Sequence, residues 1–342
     1  MSAVRFIPME VKPHGAAPGA EGALLRLVEL AGRTAYKSED RITESSARAF
    51  VLMLKKHEHL SVLEHSNIVL KIREAGSSPV RDFDLEAVAT SIVKALGPRN
   101  AYHRIYQAPG PTPDGFAMAG NLRSWIETMR YLDLQKVSCR FFLARHLHRF
   151  FPSLFEDPAL PDAEWPIEVS LMDEAEQLEL LRGDRASDLP LFVFKIVCDR
   201  GITHELVRHR VFSFTQESTR YVNYKNRGMI LILPEELQPF YDAQRETLAG
   251  ESPMVTEWQR RADALFEWYR ADVERGLKPE IARDILPNLL KSEIFVSGRW
   301  SGWEHFIRLR DSRHAHPRIR LIAREVRKYF ESIDLKIEET GD

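Results

Sequence analysis

Apolar residues recur at helical spacing over residues 22–36 and 43–56, which predicts two amphipathic helices near the start of the chain. Residues 1–20, rich in Pro, Gly and Ala, read as a strand and a loose lead-in. The β-branched run 67–72 predicts a strand, and the apolar run 190–197 a buried one. A helix is expected over 201–211, an extended polar stretch beyond it, and a long helix over 256–276. A strand-like run at 292–297 precedes helices at 302–310 and 316–333. Helices interleaved with a few strands point to the α+β class.

Residues 73–189 differ in texture. Turn signals (Gly76-Ser77-Ser78-Pro79, Pro109-Gly110-Pro111) punctuate expected helices at 85–96 and 122–151, and an acidic loop-and-helix section covers 155–181. One internal echo stands out. Gly120-Asn121-Leu122-Arg123-Ser124-Trp125 and Gly298-Arg299-Trp300-Ser301-Gly302-Trp303 share a Gly-x4-Trp frame that opens an amphipathic helix. One short echo does not establish a repeat protein.

The 342 residues carry 48 Lys+Arg against 50 Asp+Glu, so there is no global electrostatic case for nucleic-acid or anionic-membrane binding. Phosphate recognition, if present, is local. The N-terminal residues lack a signal-peptide pattern and no apolar run spans a bilayer, so a soluble cytoplasmic protein is expected. Cys139 and Cys198 lie far apart and suggest neither a disulfide framework nor a zinc-thiolate site.

Local chemistry concentrates at residues 204–221. On a helix, Glu205 shares a face with Arg208 and with His209. Beyond it the chain alternates, so that Gln216, Ser218 and Arg220 point together and offer an amide, a hydroxyl and a guanidinium. That set suits a nucleotide, because guanidinium holds phosphate through charged bidentate hydrogen bonds. A solvated basic helix with a polar loop is the competing reading. Downstream, Trp303, Phe306, Ile307 and Arg310 occupy one helix face, which turns the Arg310 guanidinium inward. A buried arginine needs an anion or acceptor, and a structural salt bridge meets that need as well as a ligand does.

The run Arg208-His209-Arg210, seven residues, Ser218, with Arg220 and Tyr221 close behind, resembles the signature of flavin-dependent thymidylate synthases. Three other blocks resemble the family in the same order: His57-Glu58-His59-Leu60-Ser61-Val62-Leu63-Glu64-His65, Arg283-Asp284-Ile285-Leu286-Pro287 and His305-Phe306-Ile307-Arg308-Leu309-Arg310. The resemblance implies a small mixed or antiparallel sheet with several helices, enlarged by a mostly helical insertion. Residues 1–72 and 190–342 would then form the catalytic domain, with 73–189 an additional region. It also implies an enzyme that converts dUMP to dTMP with methylenetetrahydrofolate and NADPH through FAD, working as a homotetramer with shared sites. Glu205, Arg208, Gln216, Ser218, Thr219, Arg220 and Arg283 would bind dUMP, and Arg310 would activate the uracil. His59, Ser61, Arg208, His209, Arg210, Gln216 and His305 would contact FAD.

The family's Asn-x-Arg flavin contact reads Arg299-Trp300-Ser301 in the C-terminal block, while an intact Asn121-Leu122-Arg123 stands in the additional region. Asn121 and Arg123 are therefore expected to supply flavin or nucleotide contacts beside Arg299. The competing role for that region is packing or assembly. The histidine pairs His57/His59 and His314/His316 lack carboxylates at ligand spacing, so no metal is expected. Both cysteines read as buried and structural. A same-superfamily flavoenzyme with altered substrate or product, and a non-catalytic nucleotide- or RNA-binding protein, are the alternatives.

Overall fold

The computed structural model describes residues 4–74, 103–107, 115–134, 139–158, 167–220, 224–250 and 252–337. Strands β1 (Val4–Ile7) and β2 (Glu10–Ala16) precede helices α1 (Glu21–Tyr36) and α2 (Ser46–Lys56). Then come β3 (Ile68–Glu74), β4 (His103–Tyr106), β5 (Gly115–Gly120), α3 (Leu122–Leu134) and α4 (Cys139–Phe150). β6 (Ile167–Leu171), α5 (Glu174–Gly183), β7 (Leu191–Asp199), α6 (Arg200–Leu206) and β8 (Ser213–Gln216) follow. After these lie α7 (Tyr224–Arg227), β9 (Met229–Ile232), β10 (Tyr241–Asp242), β11 (Thr247–Leu248), α8 (Pro253–Glu274) and α9 (Pro279–Ala282). β12 (Lys291–Arg299), α10 (Trp300–Arg310) and α11 (Pro317–Ser332) complete the described chain.

Helices and small, largely antiparallel sheets together make this an α+β protein, as the sequence pattern implied. One four-stranded sheet has the order β2-β7-β12-β8 and the other β4-β5-β3-β6. β7 and β12 pair antiparallel along their whole length, from Leu191 opposite Arg299 to Asp199 opposite Lys291. Their apolar residues alternate between two cores, because successive side chains of a strand leave opposite faces. Val193 and Phe295 face the core built with α1, α2, α3 and α4. Phe192, Phe194, Ile196, Ile294 and Val296 face the core built with α10 and α11. The sheet is thus a shared wall, and its edge strand β8 is where the signature segment runs.

Several expectations shift at their edges. The helix expected to reach residue 211 ends at Leu206, where the chain turns. The expected helix 122–151 is two helices, α3 and α4. The one expected over 85–96 lies outside the described residues. The additional region also contributes β4, β5 and β6, which its sequence did not announce; β5 is Gly115–Gly120, a Gly- and Ala-rich run held as strand by six paired positions with β3. Among the described residues no helix is long and apolar enough to cross a membrane.

Candidate active site

α6 starts where β7 ends. The Asp199 carboxylate accepts from the Ile202 amide at 2.9 Å and so caps the helix, and it also receives Arg318 at 2.8 Å. Seven residues later the helix stops, and the turn that follows presents Arg208, His209 and Arg210 toward the last turn of α10. There the Arg310 Nε donates to His209 Nε2 at 2.9 Å, and its Nη1 donates to Glu205 at 3.0 Å. His209 is buried, edge-on to Phe306 at 5.0 Å between centroids. Burial, and then the neighbouring Arg310, lower its pKa to about 4. The ring is therefore neutral near pH 7 and can offer a lone pair to the guanidinium. Arg310 commits two of its five N–H donors to these partners. His305, Arg308 and His314 join Arg208, Arg210 and Arg310 around a cleft of about 780 Å³.

A second cleft, of about 720 Å³, opens between the first helices and β8. Its walls bring His59 and Ser61, from the chain between α2 and β3, to Arg123 on α3 and Gln216 on β8. Glu64 ties this wall together. It accepts from Arg123 Nη1 at 2.6 Å and from the Ser213 hydroxyl at 2.6 Å, while Arg123 Nε donates to Glu127 at 2.9 Å. Asn121 does not face the cleft with Arg123; its Oδ1 accepts from the Ser124 amide at 2.8 Å and caps α3.

The remaining nucleotide candidates follow β8. Thr215, Glu217 and Thr219 are buried, while Gln216 and Ser218 are half-buried and Arg220 is exposed, so the alternation read from sequence continues past the strand's end. Gln216 donates to the hydroxyls of Thr203 at 3.1 Å and Ser292 at 3.0 Å. Arg283 donates to the Thr219 hydroxyl at 2.8 Å, and the Ser218 hydroxyl accepts from the Arg220 amide at 3.3 Å. None of Gln216, Ser218, Thr219, Arg220 or Arg283 lines the cleft of Arg208 and Arg310. Arg299 lines neither cleft: its Nη1 donates to the carbonyls of Asp188 at 3.2 Å and Leu189 at 2.6 Å, and burial lowers its pKa to about 10.

Residues 185–334, which hold this signature segment and the Arg310 helix, match the family model of the thymidylate synthase complementing protein. The match takes in 150 of the 342 residues, the part of the chain similar to that family. Flavin-dependent thymidylate synthase of Mycolicibacterium vanbaalenii is 35% identical over 131 residues, 37% of this chain and 51% of that protein. The enzyme of the same name from Pyrococcus abyssi is 32% identical over 135 residues, 39% of this chain and 51% of that protein. The chain thus spans about half the length of the curated relatives it matches. A solved UMP/dUMP methylase, PolB from Streptomyces cacaoi bound with 5-Br UMP, aligns with a TM-score of 0.36 at 22% identity. That alignment covers 46% of this chain and 75% of that one.

Within the family segment lie Glu205 through Arg220, Arg283, Arg299, His305 and Arg310. His59, Ser61, Asn121 and Arg123 lie outside it. Sequence reading missed Glu64 as the residue that joins Arg123 to Ser213, although Glu64 stands inside the quoted His57–His65 block. It also missed a charge network beneath β8. Lys291 donates to Glu217 at 2.8 Å and to Glu293 at 2.5 Å; Lys195 meets Glu293 at 2.6 Å, and Lys37 also reaches it. Burial alone would raise the Glu293 carboxyl, but the lysines, Lys291 foremost, outweigh it and hold it below the usual carboxylate range. Cys198 is buried, and burial followed by Asp199 pushes its thiol up, which makes it a poor nucleophile. Among the described residues no cluster of three His, Cys, Asp or Glu is placed to hold a metal ion.

Proposed function

We propose that this chain is a flavin-dependent thymidylate synthase, methylating dUMP reductively to dTMP with methylenetetrahydrofolate and NADPH through FAD. The observation that carries this reading is Arg310, presented on neutral His209 and on Glu205 inside an arginine-lined cleft of the family segment. Arg208, Ser218, Arg220 and Arg283 would hold the nucleotide phosphate and sugar, with Glu205, Gln216 and Thr219 beside them, in a site shared between subunits that joins the Arg208 cleft of one to the Ser218–Arg283 surface of another. Arg310 would stabilise negative charge on the uracil and make its C5 carbon more nucleophilic; fixed charges act strongly in a site that excludes water. With Cys198 buried and its thiolate disfavoured, the described residues favour activation of the base by charge over attack by this thiol.

The residues also suit a flavin dinucleotide. The cleft of His59, Ser61, Arg123 and Gln216 offers a guanidinium, a hydroxyl and an amide to phosphate and ribose groups, and its volume is in the range of small-molecule sites. When bound, FAD supplies redox chemistry that side chains cannot. His209, Arg210 and His305 would add contacts from the neighbouring cleft. Asn121 would act mainly by capping α3, and Arg299 by bracing the Asp188–Leu189 carbonyls. Residues 1–72 and 190–342 are the main catalytic part in this reading, with Arg123 contributed by the additional region, and the enzyme is a cytoplasmic homotetramer.

Incubating the protein with dUMP, methylenetetrahydrofolate, NADPH and FAD tests the proposal by the appearance of dTMP. Arg310→Ala is expected to lower kcat/KM by about 10²–10³, the scale for removing one group aimed at developing charge. Flavin-loaded protein that forms no dTMP would overturn the reading and favour an altered substrate or product.

A further inference from the structure

The two four-stranded sheets share one plan. Read from corresponding ends, their orders are β2-β7-β12-β8 and β6-β3-β5-β4. In each, an antiparallel central pair encloses in sequence the strand that flanks the later member: β8 lies between β7 and β12, and β4 between β3 and β5. The later strand of each pair leads directly into two helices, α10 and α11 or α3 and α4. The fourth strands are exchanged. β2, at the start of the chain, pairs with β7, whereas β6, just ahead of β7, pairs with β3.

Side chains fix the correspondence residue by residue. Gly120 stands opposite Ile68 and Gly298 opposite Phe192. The Trp125 indole donates to the Ile68 carbonyl at 3.2 Å, and the Trp303 indole to the Phe192 carbonyl at 3.3 Å. A Cβ on Gly120 would lie 2.7 Å from His103, and one on Gly298 2.3 Å from Phe212. Those two rings pack against the tryptophans, with centroids 5.1 Å apart for His103–Trp125 and 4.3 Å for Phe212–Trp303. The same offsets make Glu64 the counterpart of Asp188, Arg123 of Ser301, and Gln107 of Gln216. Each acid indeed meets its helix partner: Arg123 reaches Glu64 at 2.6 Å, and the Ser301 hydroxyl reaches Asp188 at 2.6 Å.

We infer that the chain is an internal duplication with exchanged leading strands, and that it keeps one working composite pocket of an original pair. The kept pocket takes Arg123 from the first unit and Gln216 from the second, with Glu64 clamped to both units through Arg123 and Ser213. At the counterpart position the arginine is replaced by Ser301. Arg299, the neighbouring guanidinium, is spent on the Asp188 and Leu189 carbonyls. Under the proposed function, on which this inference rests, each chain therefore takes one flavin, although it contains two units.

The test is the ratio of flavin to chain in full-length protein reconstituted with FAD, read from the absorbance of flavin released on denaturation. One flavin per chain is expected. Two per chain would overturn the single-pocket inference and leave the proposed function standing; none would overturn both. Paired variants then locate the site without relying on activity. Gln216→Ala is expected to weaken FAD binding about tenfold, on the scale of one lost hydrogen-bonding partner. Gln107→Ala, at the counterpart position, is expected to leave FAD affinity unchanged, and equal weakening by both would overturn the inference. Arg123→Ala, with folding checked by its thermal transition, should weaken FAD binding at least as much as Gln216→Ala, while Ser301→Ala should not weaken it.

Discussion

The junctions Gly120–Trp125 and Gly298–Trp303 have the same backbone frame and different polar equipment. In both, a glycine within one residue of a strand's end is pressed against an aromatic ring, and a tryptophan five residues on returns its indole to the partner strand. The polar residues between them differ. The first junction has a capping asparagine and an arginine turned to a cleft; the second has an arginine turned to buried carbonyls and a serine held by Asp188. Packing positions thus keep their roles in both copies, because a close-packed interior penalises change. Polar positions are free to diverge once only one of two sites is used.

The largest expected effect tests the shared frame. Trp125→Ala and Trp303→Ala each remove a fully buried indole and should cost about 3–5 kcal/mol. Equal losses in denaturant unfolding support equivalence; a loss at one site only would break it.

Acid sharpens the contrast next. His65 is fully buried, bonded to Ser297 at 2.5 Å, and burial lowers its pKa to about 3; its counterpart is Leu189. A folded pKa below the unfolded value near 6.5 means that the unfolded chain binds the proton more readily. The neutral ring's contribution is fully present above pH 6.5. It is lost as pH falls through 3, about 5 kcal/mol in all. His65→Leu, the counterpart residue, should flatten that part of the stability–pH curve. An unchanged slope would assign the acid sensitivity elsewhere, His209 being the next group to examine because its pKa lies near 4.

Smaller losses follow at the glycines. Gly298→Ala and Gly120→Ala force a methyl group against Phe212 and His103, and each should cost about 1–3 kcal/mol. Smallest is Asn121→Ala, expected to cost about 1 kcal/mol by removing the α3 cap. Arg299, at the counterpart position, provides no side-chain cap to α10, so replacing it should act only through the Asp188 and Leu189 carbonyls. Thermal unfolding of the two variants separates these effects.

The alternation from Gln216 to Arg220 was legible from side-chain period, and the inward face of Arg310 followed from its position after Trp303, Phe306 and Ile307; the turn after Leu206 was not, since the helical pattern runs on to residue 211. The Gly-x4-Trp echo was visible too, but its meaning was not. Strand exchange is a long-range pairing, and nothing local to β2 or β6 names its partner. β4 and β5 were missed for a related reason: His103–Tyr106 is short, and Gly115–Gly120 has few residues that favour strands by themselves. The Lys37, Lys195, Lys291, Glu217 and Glu293 network arises from four separate stretches of chain. No spacing rule reaches across those separations.

The central claim, a flavin held by this chain and reduced for dUMP methylation, is most directly tested by the visible absorbance of the FAD-reconstituted protein. The protein should carry the flavin spectrum, NADPH should bleach it, and dUMP should change the rate of bleaching. A colourless protein, or a bound flavin that NADPH leaves oxidised with and without dUMP, would contradict the claim.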